Sequence, residues 1–345
     1  MSKKVLIGMS GGVDSSVAAY LLKEQGYEVT GATMLLTNDS SAAQNAEDAK
    51  AVCSQLNIPF ISFEMKELFE KNVIDYFCNE YKCGRTPNPC IQCNKHMKFG
   101  AFLEKAIELG FDYIATGHYA RVKMNENTGK YEMHISDAAK KDQSYFLYNH
   151  TQHTLSKTLF PLGDYDKRKV RAIAERISLK VASRPESQEI CFICDDDYVR
   201  FIKERDGYTP VKGNFTDTDG NVIGTHSGII NYTIGQRKGL GAFGRPMFVM
   251  KIDADKNEIT LGEKGMEFDN ELTAGDLNFI SGEAPGQEFN CTAKNRYQAK
   301  PMPCRVKIEN NIAHITYDEP VRAITPGQAI VFYDGDILLG GGTVI

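Results

Sequence analysis

Tryptophan does not occur in this chain of 345 residues, so any stacking on a base falls to its 16 tyrosines and 18 phenylalanines. No low-complexity run and no repeat at a fixed period is present, which excludes solenoid and collagen-like architectures. No apolar stretch approaches the ~20 residues needed to span a bilayer. The apolar run at residues 5–9 stops at a glycine-rich loop and is too short for a signal-peptide core, so the expected address is the cytoplasm. Excess positive charge is missing too. The 40 lysines and arginines are outnumbered by 45 acidic residues, for a formal net charge of -5. Such a chain does not grip nucleic acid by overall charge, although local basic surfaces stay open to it.

What is present is globular composition, 42% hydrophobic and 25% charged. The length exceeds one ordinary domain and predicts two or three, with core enough to need no disulfide staple. In the cytoplasm, the nine cysteines are expected to do chemistry, bind metal or pack in the core.

The first half alternates between strand and helix patterns. Strands are predicted at residues 5–9, 27–36, 60–63 and 113–116, and helices at 15–25, 46–56, 68–81, 99–107 and, as the last strong one, 167–179. This alternation implies an α/β domain built on a parallel sheet with helices on both faces. Residues 205–270 turn to Gly, Asp and Asn with short β-like runs. Beyond them the runs are short and alternating (305–308, 313–317, 329–333, 337–339), as in a small antiparallel β-barrel. The predicted domains are 1–204, 205–270 and 271–345.

The segment Ser10-Gly11-Gly12-Val13-Asp14-Ser15-Ser16 lies between a predicted buried strand and a predicted helix. Glycines let a backbone approach phosphate closely, and a helix start offers free N–H groups and a positive dipole end. Ser10, Ser15 and Ser16 can add hydroxyl donors, and Asp14 can hold Mg2+ on the phosphates. The loop is not a Walker sequence, because no Gly-Lys-Ser/Thr follows, and it lacks the Gly-x-Gly-x-x-Gly of dinucleotide sites. It looks like the PP-loop of enzymes that split ATP into AMP and pyrophosphate. The plainer alternative is a glycine turn between strand and helix.

Cys90 and Cys93 sit in the Pro-rich loop Thr86-Pro87-Asn88-Pro89-Cys90-Ile91-Gln92-Cys93, just before a helix. A helix start and the nearby Lys95 and Lys98 favour thiolate there. A second pair, Cys191 and Cys194, follows Ser187-Gln188-Glu189-Ile190. Two thiols suit sulfur delivery, one carrying sulfur as a persulfide and the other releasing it as a disulfide forms. Structural zinc is the rival for two Cys-x-x-Cys pairs, but zinc modules usually space them by roughly 15–20 residues and here the gap is far larger. Cys53, Cys78, Cys291 and Cys304 read as inert packing residues, and Cys83 takes no assignment.

The chain resembles the tRNA-specific 2-thiouridylase (MnmA) family nearly from end to end. The resemblance rests on residues 8–16, on Gly84-Arg85-Thr86-Pro87-Asn88-Pro89, on Cys93-Asn94-Lys95 and on Ala115-Thr116-Gly117-His118-Tyr119-Ala120. It continues through residues 141–147, 187–193 and 233–241 to Arg296-Tyr297. It implies a PP-loop, adenine nucleotide α-hydrolase-like domain, a central domain contacting tRNA and a β-barrel. Gly8, Met9, Ser10, Gly11, Gly12, Val13, Asp14, Ser15, Met34 and Gly117 would bind ATP. Asn88, Pro89 and Cys90 would face the target base. Cys93 would be the nucleophile and Cys191 the persulfide carrier. His118, Lys141, Asp142, Gln143, Arg296, Tyr297 and Gln328 would touch tRNA. The implied partners are tRNA and a cysteine desulfurase or persulfide relay protein, and the implied product is 2-thiouridine at the wobble position.

Two departures from the family stand out. Cys90 occupies a position where the family commonly has Asp, and the usual Trp-containing acidic stretch after the second strand is replaced by Leu35-Leu36-Thr37-Asn38-Asp39. Cys90, Cys93 and Cys191 thereby become a candidate ligand set for a [4Fe–4S] cluster with one open iron, in competition with the persulfide cycle. Basic residues at Lys294, Arg296, Lys300, Arg305 and Lys307, at Arg237, Lys238 and Arg245, and at Lys140 and Lys141 suggest a tRNA surface, with Tyr232, Phe243 and Tyr297 available for stacking. Lys167-Arg168-Lys169 reads as the solvated side of a helix. The remaining function classes are a PP-loop ligase or amidotransferase, which leaves the paired cysteines unexplained, and a non-catalytic RNA-binding module, which leaves the nucleotide loop unexplained.

Overall fold

The computed structural model describes residues 2–138, 141–181, 190–193 and 195–345. Chain order begins with β1 (Lys4–Gly8), α1 (Val13–Glu24), β2 (Glu28–Leu35), α2 (Ser40–Gln55) and β3 (Phe60–Glu64). A long helical passage follows, made of α3 (Lys66–Phe69), a π-helical turn (Glu70–Ile74) and α4 (Asp75–Lys82). A second comprises α5 (Pro89–Gln92), a π-helical stretch (Cys93–Ala101) and α6 (Phe102–Glu108), and it leads to β4 (Tyr113–Ala115). The hairpin β5 (Arg121–Asn125) and β6 (Lys130–His134), then α7 (Gln152–Ser156), β7 (Thr158–Leu159), α8 (Lys167–Arg176) and α9 (Tyr198–Asp206), complete the first half.

Strands β3-β2-β1-β4-β7 form one parallel sheet. Along β1 the side chains alternate between its faces. Leu6 enters one apolar core with Phe77, Phe102 and Ile114, while Val5 and Ile7 enter the other with Val17, Leu22 and Val170. Each such fully buried side chain contributes about 1.5–3 kcal/mol by leaving water. Burial on both faces is what turns β1 into a continuous apolar run. Helix α1 stops at Gly26, whose φ of +86° suits the left-handed turn, and Asp39 caps α2 by accepting from Ala42 N at 2.8 Å.

The second half is all strand apart from a short 3-10 turn (Ile229–Asn231). Strands β8 (Gly213–Thr216), β9 (Val222–His226), β10 (Met247–Asp253) and β11 (Glu258–Glu263) form a four-stranded sheet. Strands β12 (Phe268–Phe279), β13 (Glu288–Lys294), β14 (Met302–Glu309), β15 (Ile312–Arg322), β16 (Ala329–Asp334) and β17 (Ile337–Val344) follow in the order β12-β15-β14-β13-β16-β17, and β12 pairs with β17 to close the barrel. Val306, Ile315, Ile330 and Phe332 fill it. The β5–β6 hairpin of the first half extends the same sheet, with Ile337 opposite His134. Neither that hairpin nor α9 has a counterpart in the sequence expectations. No helix among the described residues is long and apolar enough to cross a membrane.

Candidate functional site

The site begins where β1 ends. Residues 9–12 turn from strand to helix, with Gly11 at φ +70°, a left-handed conformation that favours glycine. The serine hydroxyls hold the turn. Ser15 Oγ accepts from Ser10 N (3.2 Å), and both Ser15 Oγ (3.2 Å) and Ser16 Oγ (2.8 Å) donate to Gly12 O. Gly117, after β4, lies so close that a Cβ there would sit 2.8 Å from Ser15 N. A cavity of about 360 Å³ opens here, lined by Gly8, Met9, Ser10, Asp14, Ser15, Met34 and Gly117 of the expected nucleotide set. Gly11, Gly12 and Val13 shape the turn instead, and Val13 is buried in the core behind it.

Asp14 in the first turn of α1 is already engaged. Lys167 Nζ donates to Asp14 Oδ1 (2.7 Å) and Oδ2 (2.8 Å), and Tyr119 Oη donates to Oδ1 (2.8 Å). Sequence reading placed Lys167 on a solvated helix face, and this is corrected here. Its side chain is only 16% exposed, because it opens α8 on the side that packs against α1. A run of three basic residues gives no local sign of which one turns inward. Arg168, at 95% exposure, keeps the solvated role.

The opposite wall of the cavity carries Lys98, His118 and Cys191. Asn88 precedes α5 and Pro89 opens it, the position where a missing N–H costs least. Cys90 is exposed and Cys93 is buried at the start of the π-helical stretch. Lys98 belongs to the same π-helical stretch, and π-helical insertions of this kind are frequent at functional sites. Desolvation of the sulfur pushes the Cys191 thiol up to about 12, reinforced by Cys93 and Cys90, while the Lys98 ammonium pulls it back. Burial likewise raises Cys90 and Cys93, with Lys98 opposing in both. All three are thiols at neutral pH, and Lys98 is the cation that favours their anions. Cys53 and Cys78 are buried, each raised to about 11 by desolvation, which suits packing. Ser187, Gln188, Glu189 and Cys194 lie outside the described residues. Among the described residues no three His, Cys, Asp or Glu side chains are placed to hold a metal ion.

The residues expected to touch tRNA divide by position. His118 is buried in the cavity wall, with Nδ1 2.8 Å from Thr116 Oγ1 and Nε2 3.4 Å from Lys98 Nζ. Burial, then Lys98 and His150, hold it neutral, well below the usual histidine range. Gln143 also lines the cavity and accepts from Tyr119 N at 3.0 Å. Asp142 is occupied by Ser136 N (2.9 Å) and Ser144 Oγ (2.6 Å), and Lys141 lies beside it, half-buried. Tyr297 packs on Phe146 at 4.5 Å beneath Lys294.

Arg296 is turned inward. Its guanidinium donates to Ile234 O (3.0 Å), Ala323 O (2.9 Å) and Thr325 Oγ1 (2.5 Å), tying the loop before β10 to the barrel. The expectation that it lends charge to an open basic patch is therefore corrected. Arg305 pairs with Glu288 and Lys307 with Glu309 (2.6 Å), so that patch is offset by its own acids. Gln328 Nε2 donates to Thr86 O (2.9 Å), and Thr86 N donates to Pro326 O (2.9 Å), so the barrel grips the loop that carries the cysteines.

A serine-held glycine turn at the head of a parallel sheet, with Cys191 lining the same cavity, is the arrangement of a HUP-class domain. Residues 3–195 match the tRNA methyl transferase HUP domain, 200–263 the tRNA methyl transferase PRC-barrel domain and 269–344 the aminomethyltransferase beta-barrel domain. The chain belongs to the tRNA-specific 2-thiouridylase MnmA family. It is 50% identical over 355 residues to the member from Clostridioides difficile (strain 630), covering 100% of this chain and 98% of that one. To the member from Acetivibrio thermocellus it is 48% identical, covering 99% of each. Among solved structures, U34-tRNA thiolase NcsA from Methanococcus maripaludis with its [4Fe-4S] cluster aligns at a TM-score of 0.39 and 21% identity, over 59% of this chain and 65% of that one, too loosely to assign any residue.

Proposed function

We propose that this chain makes 2-thiouridine in tRNA as its family does, using ATP to activate the C2 oxygen of the wobble uridine and a cysteine persulfide to replace it. One observation carries the reading: the nucleotide loop and Cys191 line a single cavity. The loop N–H groups and the start of α1 receive the pyrophosphate end of ATP. The C2 oxygen attacks the α-phosphorus, pyrophosphate leaves, and AMP becomes the leaving group on C2. The terminal sulfur of a Cys191 persulfide adds to C2 and AMP departs. The Cys93 thiolate then attacks Cys191 Sγ, freeing the sulfur on the base and leaving a Cys93–Cys191 disulfide that an external dithiol reduces. The base must leave the anticodon stack to reach the cavity. Asn88, Pro89 and Cys90 are assigned to the base, and His118 and Gln143 to its approach. Residues 1–204 carry the catalysis, and 205–270 and 271–345 seat the tRNA. The sulfur comes from a cysteine desulfurase or relay protein in the cytoplasm.

Mg2+ enters with ATP as its counter-ion. Both Asp14 oxygens accept from Lys167, so Asp14 is not a vacant metal ligand, and no step is routed through the ion. The [4Fe–4S] reading rests on Cys90. Cys90 and Cys93 both raise Cys191, and Cys90 raises Cys93, so the three are neighbours, yet among the described residues they do not form a metal-holding group. Iron counting after anaerobic purification, with Cys90→Ser beside the parent, separates the schemes. The persulfide route predicts an iron-free, active variant, and the cluster route predicts loss of iron and activity.

The test of the whole reading is pyrophosphate release measured with and without tRNA and a sulfur donor, followed by nucleoside mass spectrometry. Release that needs tRNA, with 2-thiouridine appearing when sulfide is supplied, is expected. Nitrogen in place of sulfur would make the chain an amidotransferase.

A further inference from the structure

We propose that Lys167 is the pyrophosphate-binding lysine of this enzyme, a positioning residue supplied to the PP-loop by α8 and shared between Asp14 and the departing pyrophosphate. The inference rests on the nucleotide reading above and deepens it.

The loop has a deficit that the fold makes good. Phosphate-binding loops often carry their own lysine, and residues 10–16 contain none. They carry a carboxylate instead. Asp14 lines the cavity at the helix end where pyrophosphate must sit, so a bound polyphosphate meets a like charge. Repulsion at this range in a partly dry cavity disfavours binding unless a cation lies between the two anions. Lys98 lines the cavity beside the thiols, whereas Lys167 stands behind Asp14 and is the cation bound to that carboxylate. It comes from 153 positions away, with Nζ within 2.8 Å of both Asp14 oxygens.

The placement is built rather than incidental. Asp166 caps α8 by accepting from Lys169 N (2.9 Å), and Val170 and Ala174 bury the helix in the same core as Val13 and Val17 of α1. The lysine and the loop are therefore carried by helices packed in one core. Tyr119 closes the arrangement, with its hydroxyl on Asp14, its backbone N–H on the cavity-lining Gln143, and its ring 5.9 Å from Lys167 Nζ. Before ATP arrives the ammonium is held by Asp14. When ATP binds, it bridges Asp14 to the β- and γ-phosphate oxygens. When the bond between the α-phosphorus and the bridging oxygen breaks, the electron pair goes to pyrophosphate, and Lys167 holds the added negative charge. No proton or electron transfer is required of it.

The test measures binding of magnesium pyrophosphate and, separately, of AMP to the full-length chain by calorimetry, for the parent, Lys167→Met and Lys167→Arg. The expected result is a loss of pyrophosphate affinity of at least tenfold in K167M, AMP affinity unchanged, and most of the loss restored in K167R. ATP turnover should show the same split, with KM for ATP raised in K167M and relieved in K167R. Equal pyrophosphate affinity in parent and K167M would reduce Lys167 to a structural ion pair and overturn the proposal, as would equal losses for pyrophosphate and AMP. If K167M does not fold, Lys167→Gln takes its place: a selective loss of pyrophosphate affinity supports the proposal, and unchanged affinity for both ligands overturns it. A parent chain that binds neither ATP nor pyrophosphate would sink the nucleotide reading itself, a different failure.

Discussion

The nucleotide loop and the barrel were both expected to meet anions, and they are built in opposite ways. At the loop, the charged and hydroxyl groups converge on a cavity, and Lys167 reaches them from a distant helix. On the barrel, several of the basic residues face their own acids or other protein groups, as Arg305 does with Glu288 and Arg296 does with three oxygens. A motif with fixed spacing between strand and helix specifies a place for a ligand. A crowding of lysines and arginines specifies only that charge is present, and cross-strand partners decide whether it is free.

The largest effect should come from the loop. Asp14→Ala is expected to lower tRNA-dependent pyrophosphate release by about a hundredfold, the scale of misplacing a positioning group, because Lys167 loses the carboxylate that holds it. Filter binding of tRNA should stay near the parent value, and a normal rate of release would break the contrast at its stronger end. Arg296→Ala is expected to act on stability rather than on RNA charge. Losing a half-buried cation that holds two carbonyls and a hydroxyl should cost about 2 kcal/mol in denaturant unfolding. Unchanged stability with weakened tRNA binding would return Arg296 to the open basic surface.

Acid should separate the two regions further. His150 is buried and neutral beside Phe99, its pKa held down to about 3 by desolvation. The unfolded chain therefore takes up a proton that the folded chain refuses. Its contribution is complete above the ordinary histidine pKa of 6.5 and is lost as the pH falls from there toward about 3. The slope is about 1.4 kcal/mol per pH unit for one such group. Unfolding measured at pH 7 and pH 5 should show it, and His150→Phe should flatten it.

Smaller effects are expected from Gln328→Ala, which frees one bond to the cysteine loop. About a tenfold fall in thiolation with KM for ATP unchanged corresponds to roughly 1.4 kcal/mol, one hydrogen bond's worth. The smallest belongs to Lys307→Ala on the barrel. Its exposed pair with Glu309 leaves little net charge to lose, so tRNA affinity should stay close to the parent value. A steep drop in the salt dependence of binding would show that the pair opens for RNA.

Much of the first half could be read from the sequence because burial on both faces of the sheet writes itself as short apolar runs split by helical periodicity. Strands β1 to β4 and helices α1, α2 and α8 fall where that pattern puts them. The β5–β6 hairpin escaped because its residues are half polar and its partner, β17, lies far along the chain. Helix α9 escaped because its nine residues follow an acidic run and bury only Ile202. At the site, the loop serines, Met34 and Gly117 were legible as a motif. Lys167, Tyr119 as the partner of Asp14, and the grip of Gln328 on Thr86 were not, since each depends on a contact between distant segments that no local spacing encodes.

That grip has a bearing on how the enzyme is made. Thr86 and Pro87 emerge early in synthesis, but the loop that fastens them does not exist until much later. Gln328 lies 242 positions beyond Thr86. It is itself held in place when Val344 N donates to Gln328 O (2.8 Å) and Gly327 N donates to Val344 O (2.9 Å). The cysteine-bearing loop is thus fastened by the last strand to be made, and it cannot take these bonds until β17 has joined the barrel.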